Sequence, residues 1–370
     1  MINTILKISL TKENLVTLSL QKENILALEK DEVLIQVKAA PINPSDLSFL
    51  FLDNDINNIK CIKSTEDSVS FKLNHTLHDK HQNKVNKILN AGYEGSGIII
   101  DVGANISKGY IGRTISCATG SMYAKYKIEK FKNIIIMPPE ISPADAASGF
   151  VNPMTALCIL WTLSKDKHQA FIHTVGSSSL GKMLCKLCLE RSVPLISIVR
   201  SKEQHFNLLK LGNTCVQSLE SESFNTDLRN NILKYRPTAC FDPIGGGNLL
   251  SQIMNTMENV YRSINKNHHH YGTDIKKHGY IYGKLNREKI IFNHEIGFSW
   301  MIEGWLLSNI VKNIPCDELN KMKTMIQKNI LTTFKTDYFR EINLSDLTNI
   351  DIIKKFGTLR SGHKYLVKVN

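Results

Sequence analysis

From Ala170 onwards, strand-like and helix-like segments alternate, and this alternation constrains the fold more than any other feature of the sequence. Short apolar runs typical of buried strands are separated by segments with the periodicity of amphipathic helices. The predicted strands are AFIHT, PLISIVR, TCVQSL, ACFDPIGGG with its turn, and GYIYG, and the predicted helices are LGKMLCKLCLE and KEQHFNLLKLG. This order predicts an α/β fold with a doubly wound parallel sheet that carries helices on both faces.

The sequence on either side of this region has a different character. In the first forty residues, strand-like runs alternate with polar turns, most clearly in EVLIQVKAA at 32–40, so a β-rich opening is predicted. The polar stretch at 53–90 is predicted to be a long loop with at most a short helix. The tail at 334–370 is strand-like again, and we expect it to pack away from the end of the parallel sheet.

Composition narrows the class of protein. The chain has 370 residues, of which 42% are hydrophobic, so it can bury a sizeable core. No apolar run reaches the roughly 18 residues of a membrane span, and the N-terminal segment lacks the pattern of a signal or transit peptide. We therefore expect a cytoplasmic protein with no membrane partner. The net charge of +12 could indicate nucleic-acid binding, but the lysines are spread out and no basic motif accompanies them, so we do not expect such a partner.

The cysteines and histidines do not form a metal-binding pattern. Eight scattered cysteines are too few for a disulfide framework in a chain of this size, and Cys185 and Cys188 are predicted to face the core of one helix. The clustered histidines are predicted to be solvated: His75, His78 and His81 in the polar stretch, and His268, His269 and His270 in a second polar insertion.

The segment HTVGSSSLG joins the first predicted strand to its helix and is the strongest chemical signal. Gly176 permits a tight turn, Ser177 and Ser178 keep the side chains small, and Gly181 lets the helix pack closely on the sheet. A diphosphate could bind at such a helix start. Ser178 stands where the strict G-x-G-x-x-G pattern has its middle glycine, so an ordinary strand-to-helix turn is the alternative.

The end of the second predicted strand indicates which dinucleotide such a turn would bind. NAD-selective folds place an acidic residue there to bind the ribose 2′-hydroxyl. Here the position holds Arg200 and Lys202, whose positive charges would attract a 2′-phosphate, so the expected cofactor is NADP(H). The alternative is that Arg200 is only a solvated strand end.

Several separated motifs, in order along most of the chain, together resemble the medium-chain dehydrogenase/reductase superfamily. The similarity is greatest to its zinc-independent branch of quinone oxidoreductases and trans-2-enoyl-CoA reductases. The motifs are APINPSDL ending at Leu47, GYEGSGIIIDVG at 92–103, FVNPMTAL at 150–157, HTVGSSSLG at 173–181, CFDPIGGG at 240–247, GYIYG at 279–283 and GFSWMIEGWLL at 297–307.

This resemblance implies a domain organisation and a set of site residues. A GroES-like catalytic domain would comprise 1–150 and a C-terminal return at 326–370, with a Rossmann cofactor-binding domain at 151–325 between them, and we expect a homodimer. In the family, the positions that match Asn43, Pro44 and Thr155 line the nicotinamide pocket. Those that match Gly176, Ser177, Ser178 and Gly181 hold the diphosphate. Tyr282 and Gly283 would follow the last cofactor-facing strand, and Phe298 and Ser299 would lie on the segment that runs past the carboxamide.

Departures from the family pattern bear on the chemistry. Asn43 and Tyr93 stand where zinc-dependent relatives carry a cysteine and a histidine ligand, so no metal is expected. Without a metal, hydride would pass to an acceptor whose own carbonyl spreads the developing charge, such as a quinone, an α,β-unsaturated carbonyl or an enoyl thioester. Asn43 would position this small-molecule substrate. The family's enoyl reductases carry a proton-donating tyrosine shortly after NPSD, but LSFLFLDND contains none. The proton would therefore come from water, Tyr93 or Tyr123, and packed, inert tyrosines are the alternative.

A second hypothesis belongs to another class of function. The chain could be a catalytically degenerate protein that senses NADP(H) or binds RNA on the same fold. A retained nicotinamide pocket would favour the enzyme, whereas a contiguous basic face beside a closed pocket would favour the binding protein.

Overall fold

The computed structural model describes residues 1–52, 54, 56, 59–73, 79–265, 269–358, 362 and 364–369, and of residues 79, 80 and 294 the backbone alone. The chain forms two compact units. The β-rich unit comprises 1–151 and 323–370, and the α/β unit comprises 152–322. None of the described helices has the length and apolar content needed to cross a membrane.

The strands, in chain order, are β1 (Ile2–Leu10), β2 (Leu15–Asn24), β3 (Glu32–Pro41), β4 (Lys60–Ser64), β5 (Ser68–Lys72), β6 (Ile88–Asn90), β7 (Gly95–Val102), β8 (Thr114–Cys117), β9 (Tyr126–Lys130), β10 (Ile134–Ile136), β11 (Phe171–His173), β12 (Leu195–Val199), β13 (Val216–Ser218), β14 (Ala239–Asp242), β15 (Lys277–Ile281), β16 (Trp300–Gly304), β17 (Arg340–Asn343) and β18 (Tyr365–Lys368).

The α-helices, in chain order, are α1 (Pro44–Leu50), α2 (Asp79–Gln82), α3 (Pro143–Ala146), α4 (Val151–Lys165), α5 (Ser179–Glu190), α6 (Lys202–Lys210), α7 (Phe224–Tyr235), α8 (Leu249–Ile264), α9 (Leu307–Asn313), α10 (Cys316–Asn329) and α11 (Ile350–Phe356).

Two mainly antiparallel sheets build the β-rich unit. One has the order β4-β5-β2-β1-β6, and the other has the order β10-β8-β7-β3-β18-β17, with β9 also paired to β3. The apolar residues that alternate along β3, Val33, Ile35 and Val37, are all buried, as the period-two pattern predicted. The C-terminal strand β18 pairs with β3, so the tail packs in this unit and not on the parallel sheet, as expected.

The prediction of a long loop at 53–90 is wrong, because this stretch contains three strands, β4, β5 and β6. The short helix, α2, is present. Val69 and Phe71 of β5 are fully buried and pair with Leu18 and Val16 of β2. Two apolar residues at alternate positions are enough to anchor an edge hairpin, but they are too few to stand out in a polar sequence.

The histidine predictions have a mixed outcome. His81 is only 4% exposed, so the prediction that it is solvated is wrong. His269 and His270 are exposed, as predicted. The other three, His75, His78 and His268, lie outside the described residues.

The α/β unit contains a six-stranded sheet in the order β13-β12-β11-β14-β15-β16, and every strand pair in it is parallel. The predicted strands correspond to β11–β15, and the predicted helices correspond to α5 and α6. The last strand, β16, was not predicted. The central strands β11, β12 and β14 are buried throughout, which explains their continuous apolar runs. The predicted fold class, a Rossmann-type parallel sheet together with a β-rich unit, is confirmed.

The face of α5 that packs on this sheet carries the C-x-x-C pair. Cys185 and Cys188 are 1% and 3% exposed, and both are free thiols. Burial raises the pKa of Cys185 to about 11 and that of Cys188 to about 12. The prediction that they are packed core residues is confirmed.

Candidate functional site

The glycine-rich turn connects β11 to α5 and is held by its own hydrogen bonds. Ser178 is the N-cap of α5: its Oγ accepts a hydrogen bond from the Gly181 N–H at 3.0 Å and donates one to the Val175 carbonyl at 2.9 Å. The Gly176 N–H donates to the Ile198 carbonyl of the neighbouring strand at 2.8 Å. The serine at the middle position of the motif therefore ends the turn and starts the helix.

Close packing requires glycine at both ends of this turn. A Cβ on Gly181 would lie 2.3 Å from the Gly176 carbonyl oxygen, and a Cβ on Gly176 would lie 2.7 Å from the Cβ of Ser197. Neither contact is possible for a real side chain, because neither partner is the flexible end of a long residue. The start of α5 thus lies directly on the turn, and the N-terminal end of a helix favours anions.

Residues from several strands share the edge of the sheet that carries this turn, because the carboxyl ends of parallel strands meet there. His173 ends β11 and Tyr282 follows β15, and the His173 Nε2 lies 2.6 Å from the Tyr282 hydroxyl oxygen. Burial lowers the pKa of His173 to about 3, so its ring is neutral, and burial raises the pKa of Tyr282 well above its usual value. The predicted residue Gly283 comes next, where a Cβ would lie 2.3 Å from the Pro243 carbonyl oxygen.

A second network at this edge orders the loop after β14. The Thr174 hydroxyl donates to Asp242 at 2.5 Å. The Asp242 carboxylate also accepts the N–H groups of Ile244 and Gly245 at 3.0 and 3.1 Å. Sequence reasoning did not select Asp242, although the motif CFDPIGGG contains it.

Arg200 and Lys202 lie at the carboxyl end of β12, where the sequence predicted a positive charge. Both side chains are exposed, and neither forms an ion pair within the part of the chain that the structure describes. The Lys202 backbone N–H donates to the Glu220 carboxylate at 3.3 Å, so one negative charge lies close to this position.

In the β-rich unit, Asn43 donates hydrogen bonds to two buried carboxylates, those of Asp46 and Glu94. Its backbone N–H donates to Asp46 at 2.9 Å, and its side-chain amide donates to Glu94 at 2.8 Å. Asp46 also accepts the Tyr93 N–H at 2.7 Å, and Glu94 accepts the Val151 N–H at 2.8 Å. One of the two amide hydrogens of Asn43 is thereby committed to Glu94.

The two carboxyl groups share this buried region with Lys364. Burial raises the pKa of Asp46 to about 7, against the lowering effect of its backbone hydrogen bonds, and burial also raises the pKa of Glu94. Burial lowers the pKa of Lys364, although the two carboxyl groups oppose this shift. The positive charge of Lys364 compensates the negative charges of Asp46 and Glu94, so the three residues form one electrostatic cluster. Sequence reasoning missed it, because Lys364 and Glu94 are far apart in the sequence.

The two candidate proton donors have different environments. Tyr123 is fully buried, and its hydroxyl donates to the Pro41 carbonyl at 3.1 Å. Burial and the Asp46 carboxyl group raise the pKa of Tyr123 well above its usual value. Tyr93 is 46% exposed, so its side chain is accessible.

The remaining predicted residues differ in where the structure places them. Thr155 is buried on α4 of the α/β unit. Phe298 precedes β16 and so lies at the amino end of the parallel strands, at the edge opposite the glycine turn. Its ring is 80% exposed and contacts Tyr271, and its neighbour Ser299 donates a hydrogen bond to a backbone carbonyl. The structure therefore does not bring Phe298 together with the turn.

Trp305 lies at the other end of the same segment. It follows β16 at the carboxyl edge, is 4% exposed, and its Nε1 donates to the Thr162 hydroxyl at 3.0 Å. Its ring lies 6.0 Å from that of Tyr282. The motif GFSWMIEGWLL contains a whole strand between Phe298 and Trp305, and recognising that strand would have moved the assignment to its far end.

The parallel sheet with its glycine turn defines a nucleotide-binding α/β fold, and with the β-rich unit it is the fold of medium-chain dehydrogenases/reductases. No family model matches the chain. A Mesorhizobium loti protein assigned as an NADPH:quinone reductase superposes with a TM-score of 0.73 at 21% identity, over 99% of this chain and 98% of that one. The complex of Etr1p with NADP and crotonyl-CoA superposes with a TM-score of 0.67 at 16% identity, over all of both chains.

Curated relatives point to the same superfamily. The protein named Probable polyketide synthase 6 of Dictyostelium discoideum is 23% identical over 278 residues, which are 71% of this chain and 9% of that protein. The mitochondrial enoyl-[acyl-carrier-protein] reductase of Caenorhabditis elegans is 26% identical over 183 residues, 49% of this chain and 45% of that protein. The chain thus spans less than half of the length of either relative. The resemblance indicated by the sequence motifs is confirmed.

Replacing Gly181 with alanine tests the packing of the turn. In an ordinary helix, this change stabilises by about 1 kcal/mol. Here the new Cβ meets the Gly176 carbonyl, so we expect a loss of about 1 to 3 kcal/mol in the free energy of unfolding, measured by chemical denaturation.

Gly109→Ala is the control, because this glycine is exposed and the nearest atom to a Cβ there, the Ser107 hydroxyl oxygen, lies at 3.4 Å. This variant should be as stable as the parent or slightly more stable. Equal behaviour of the two variants would show that α5 does not pack on the turn as described.

Proposed function

We propose that the protein is an NADPH-dependent, zinc-independent reductase that transfers a hydride to an α,β-unsaturated carbonyl or a quinone. The observation that carries the proposal is the turn at 174–181, where a capped helix start lies on a strand end with no room for side chains. Such a turn lets a diphosphate approach the backbone closely.

The residues at the carboxyl edge of the α/β unit fit a dinucleotide. The start of α5 would hold the diphosphate, and Ser177 and Ser178 keep the side chains there small. The exposed cations Arg200 and Lys202 would bind a ribose 2′-phosphate. When bound, the cofactor would supply the hydride. The neutral His173 and its partner Tyr282 would add no charge to this edge, where the nicotinamide end belongs.

On the substrate side, Asn43 would be a positioning residue. Its amide is oriented by Glu94, so the remaining N–H and the carbonyl oxygen have a defined direction. A fixed donor that meets a substrate carbonyl stabilises the negative charge that develops on it. Proton transfer would come from the accessible Tyr93 or from water, because the hydroxyl of Tyr123 is already committed to the Pro41 carbonyl.

Among possible acceptors, an enoyl thioester is favoured over a quinone. One curated relative described above is named an enoyl-[acyl-carrier-protein] reductase and the other a probable polyketide synthase, and one structural neighbour was solved with crotonyl-CoA. The quinone alternative is kept because a neighbour of similar likeness is assigned as an NADPH:quinone reductase.

Cofactor preference tests the assignment of the basic strand end. We expect NADPH to bind at least tenfold more tightly than NADH in fluorescence titrations. A charge-assisted hydrogen bond at an exposed site contributes about 1.5 kcal/mol, roughly a tenfold change in affinity. Arg200→Ala should remove most of this preference.

Arg229→Ala, which removes an exposed arginine of α7, is the control and should keep the preference of the parent protein. Equal affinities of the parent for NADPH and NADH would refute the NADPH assignment.

Turnover tests both the reaction and the proton donor. We expect the purified protein to oxidise NADPH with a crotonyl thioester, followed by absorbance. Tyr93→Phe should lower kcat by a factor of about 10² or more if Tyr93 is the general acid. Tyr123→Phe should change kcat only slightly, because the buried hydroxyl already donates to the Pro41 carbonyl.

Unchanged turnover in both variants would assign the proton to water. NADPH binding without oxidation by any enone, enoyl thioester or quinone would overturn the enzyme proposal in favour of a cofactor sensor.

We also propose a homodimer in which β16 pairs with its copy. β16 is an edge strand of the parallel sheet, bonded only to β15 among the described strands. It exposes apolar side chains that a monomer would leave in water, with Trp300 at 44% and Met301 at 38% exposure. An edge strand with an apolar surface favours pairing with a second strand.

Light scattering coupled to size exclusion measures this state directly. We expect the mass of a dimer for the parent and of a monomer for Met301→Arg. Leu233→Glu, at an exposed apolar position on α7, should stay dimeric. A monomeric parent, or a dimeric Met301→Arg, would contradict pairing through β16.

A further inference from the structure

A second cluster of chemically active side chains lies away from the glycine turn, in the α/β unit. Asp166 and His168 lie in the connection from α4 to β11, and His278 lies near the start of β15. Each offers one ligand atom, and these atoms lie within 4.8 Å of one another. Glu303 of β16 joins them, with its Oε1 3.2 Å from the His278 Nε2.

We propose that these four side chains form a structural zinc-binding site. Two imidazoles with carboxylates are a donor set that suits Zn²⁺. Zinc–ligand bonds of about 2.0 to 2.2 Å place tetrahedral ligands roughly 3.4 Å apart. The ligand atoms of Asp166, His168 and His278 would therefore move closer together around the metal, and Glu303, beside His278, would be the fourth ligand. This inference is independent of the proposed reductase activity.

The state of His278 is the second observation that points to a cation. The residue is 6% exposed, yet its Nε2 has no hydrogen-bond partner in the part of the chain that the structure describes. The Glu303 carboxylate lies 3.2 Å from this nitrogen without forming a hydrogen bond with it, so a buried ring nitrogen and a carboxylate oxygen face each other. A bound cation would satisfy both groups, because neutral imidazole and ionised carboxylate are the forms that bind metals.

An outer set of contacts already orients two of the proposed ligands. The His168 Nδ1 lies 2.8 Å from the Thr238 hydroxyl, and its Nε2 lies 3.2 Å from the Tyr280 hydroxyl. The Tyr280 hydroxyl donates to the Asp166 carboxylate at 2.6 Å, so a metal would take the place of Tyr280 at the His168 Nε2. Tyr280 also stacks on the His278 ring, with the ring centroids 3.8 Å apart. Metal-binding histidines and carboxylates commonly have such partners, which fix ring orientation and tautomer.

The position of the cluster indicates a structural role. The α4–β11 connection precedes β11, whereas the glycine turn follows it, so the cluster does not share the edge where hydride chemistry is proposed. Zinc would join the α4–β11 connection to β15 and β16. The expectation of no metal rested on the cysteine and histidine positions of zinc-dependent relatives and did not consider these residues, because they are far apart in sequence.

Isothermal titration of the chelator-treated full chain with zinc chloride tests the proposal. We expect one zinc per chain in the parent, with a higher melting temperature in the presence of zinc. His278→Gln and Asp166→Asn should each weaken binding by more than tenfold, and Thr238→Val should weaken it by roughly tenfold through the orientation of His168.

His205→Gln is the control, because this histidine lies on α6 and outside the cluster. It should bind zinc as the parent does. Asp166→Asn changes an exposed side chain and keeps an acceptor for Tyr280. It therefore tests zinc binding even if His278→Gln does not fold. The proposal is overturned if the parent binds no zinc, or if Asp166→Asn and His278→Gln bind it as tightly as the parent.

Discussion

The close approach of α5 to the end of β11 is the contact on which the arrangement of the α/β unit depends. Gly181 lies against the Gly176 carbonyl with no space for a Cβ, and Gly176 has no space for one beside Ser197 of the neighbouring strand. Helix, turn and two strands therefore meet at one point. Because the packing leaves the first N–H groups of α5 beside the turn, the same contact that closes the fold also prepares an anion-binding surface.

The β-rich unit depends on a different interaction, the sharing of buried charge among Asp46, Glu94 and Lys364. The backbone N–H groups of Asn43, Tyr93 and Val151 donate hydrogen bonds to the two carboxylates. A buried carboxylate without such partners would cost several kcal/mol, so these residues hold their loops in place. The same hydrogen bonds direct the amide of Asn43, which links the stability of this unit to the role proposed for that side chain.

Particular residues show how far the sequence predicted the site. The strand ends with Gly176, Arg200 and Tyr282 were found from periodicity and motifs, because a parallel sheet places all of its carboxyl ends at one edge. Phe298 was misplaced because the strand β16, which follows it, was not recognised. Tyr123 could not be judged from sequence, since whether a tyrosine hydroxyl is free or bound to a carbonyl depends on chain segments far from it.

The sequence by itself determined the α/β fold class, the glycine turn and the positive charge that follows the second strand, because each depends on neighbours within a few residues. Only the tertiary structure decided which side chains meet across long separations. It placed the charges of Glu94 and Lys364 where they interact. It put Trp305, and not Phe298, at the carboxyl edge of the parallel sheet. It also brought the ligand atoms of Asp166, His168 and His278 close together. The reason is physical: burial and hydrogen bonding set the charge and direction of a side chain, and both arise from packing between elements that no local pattern records.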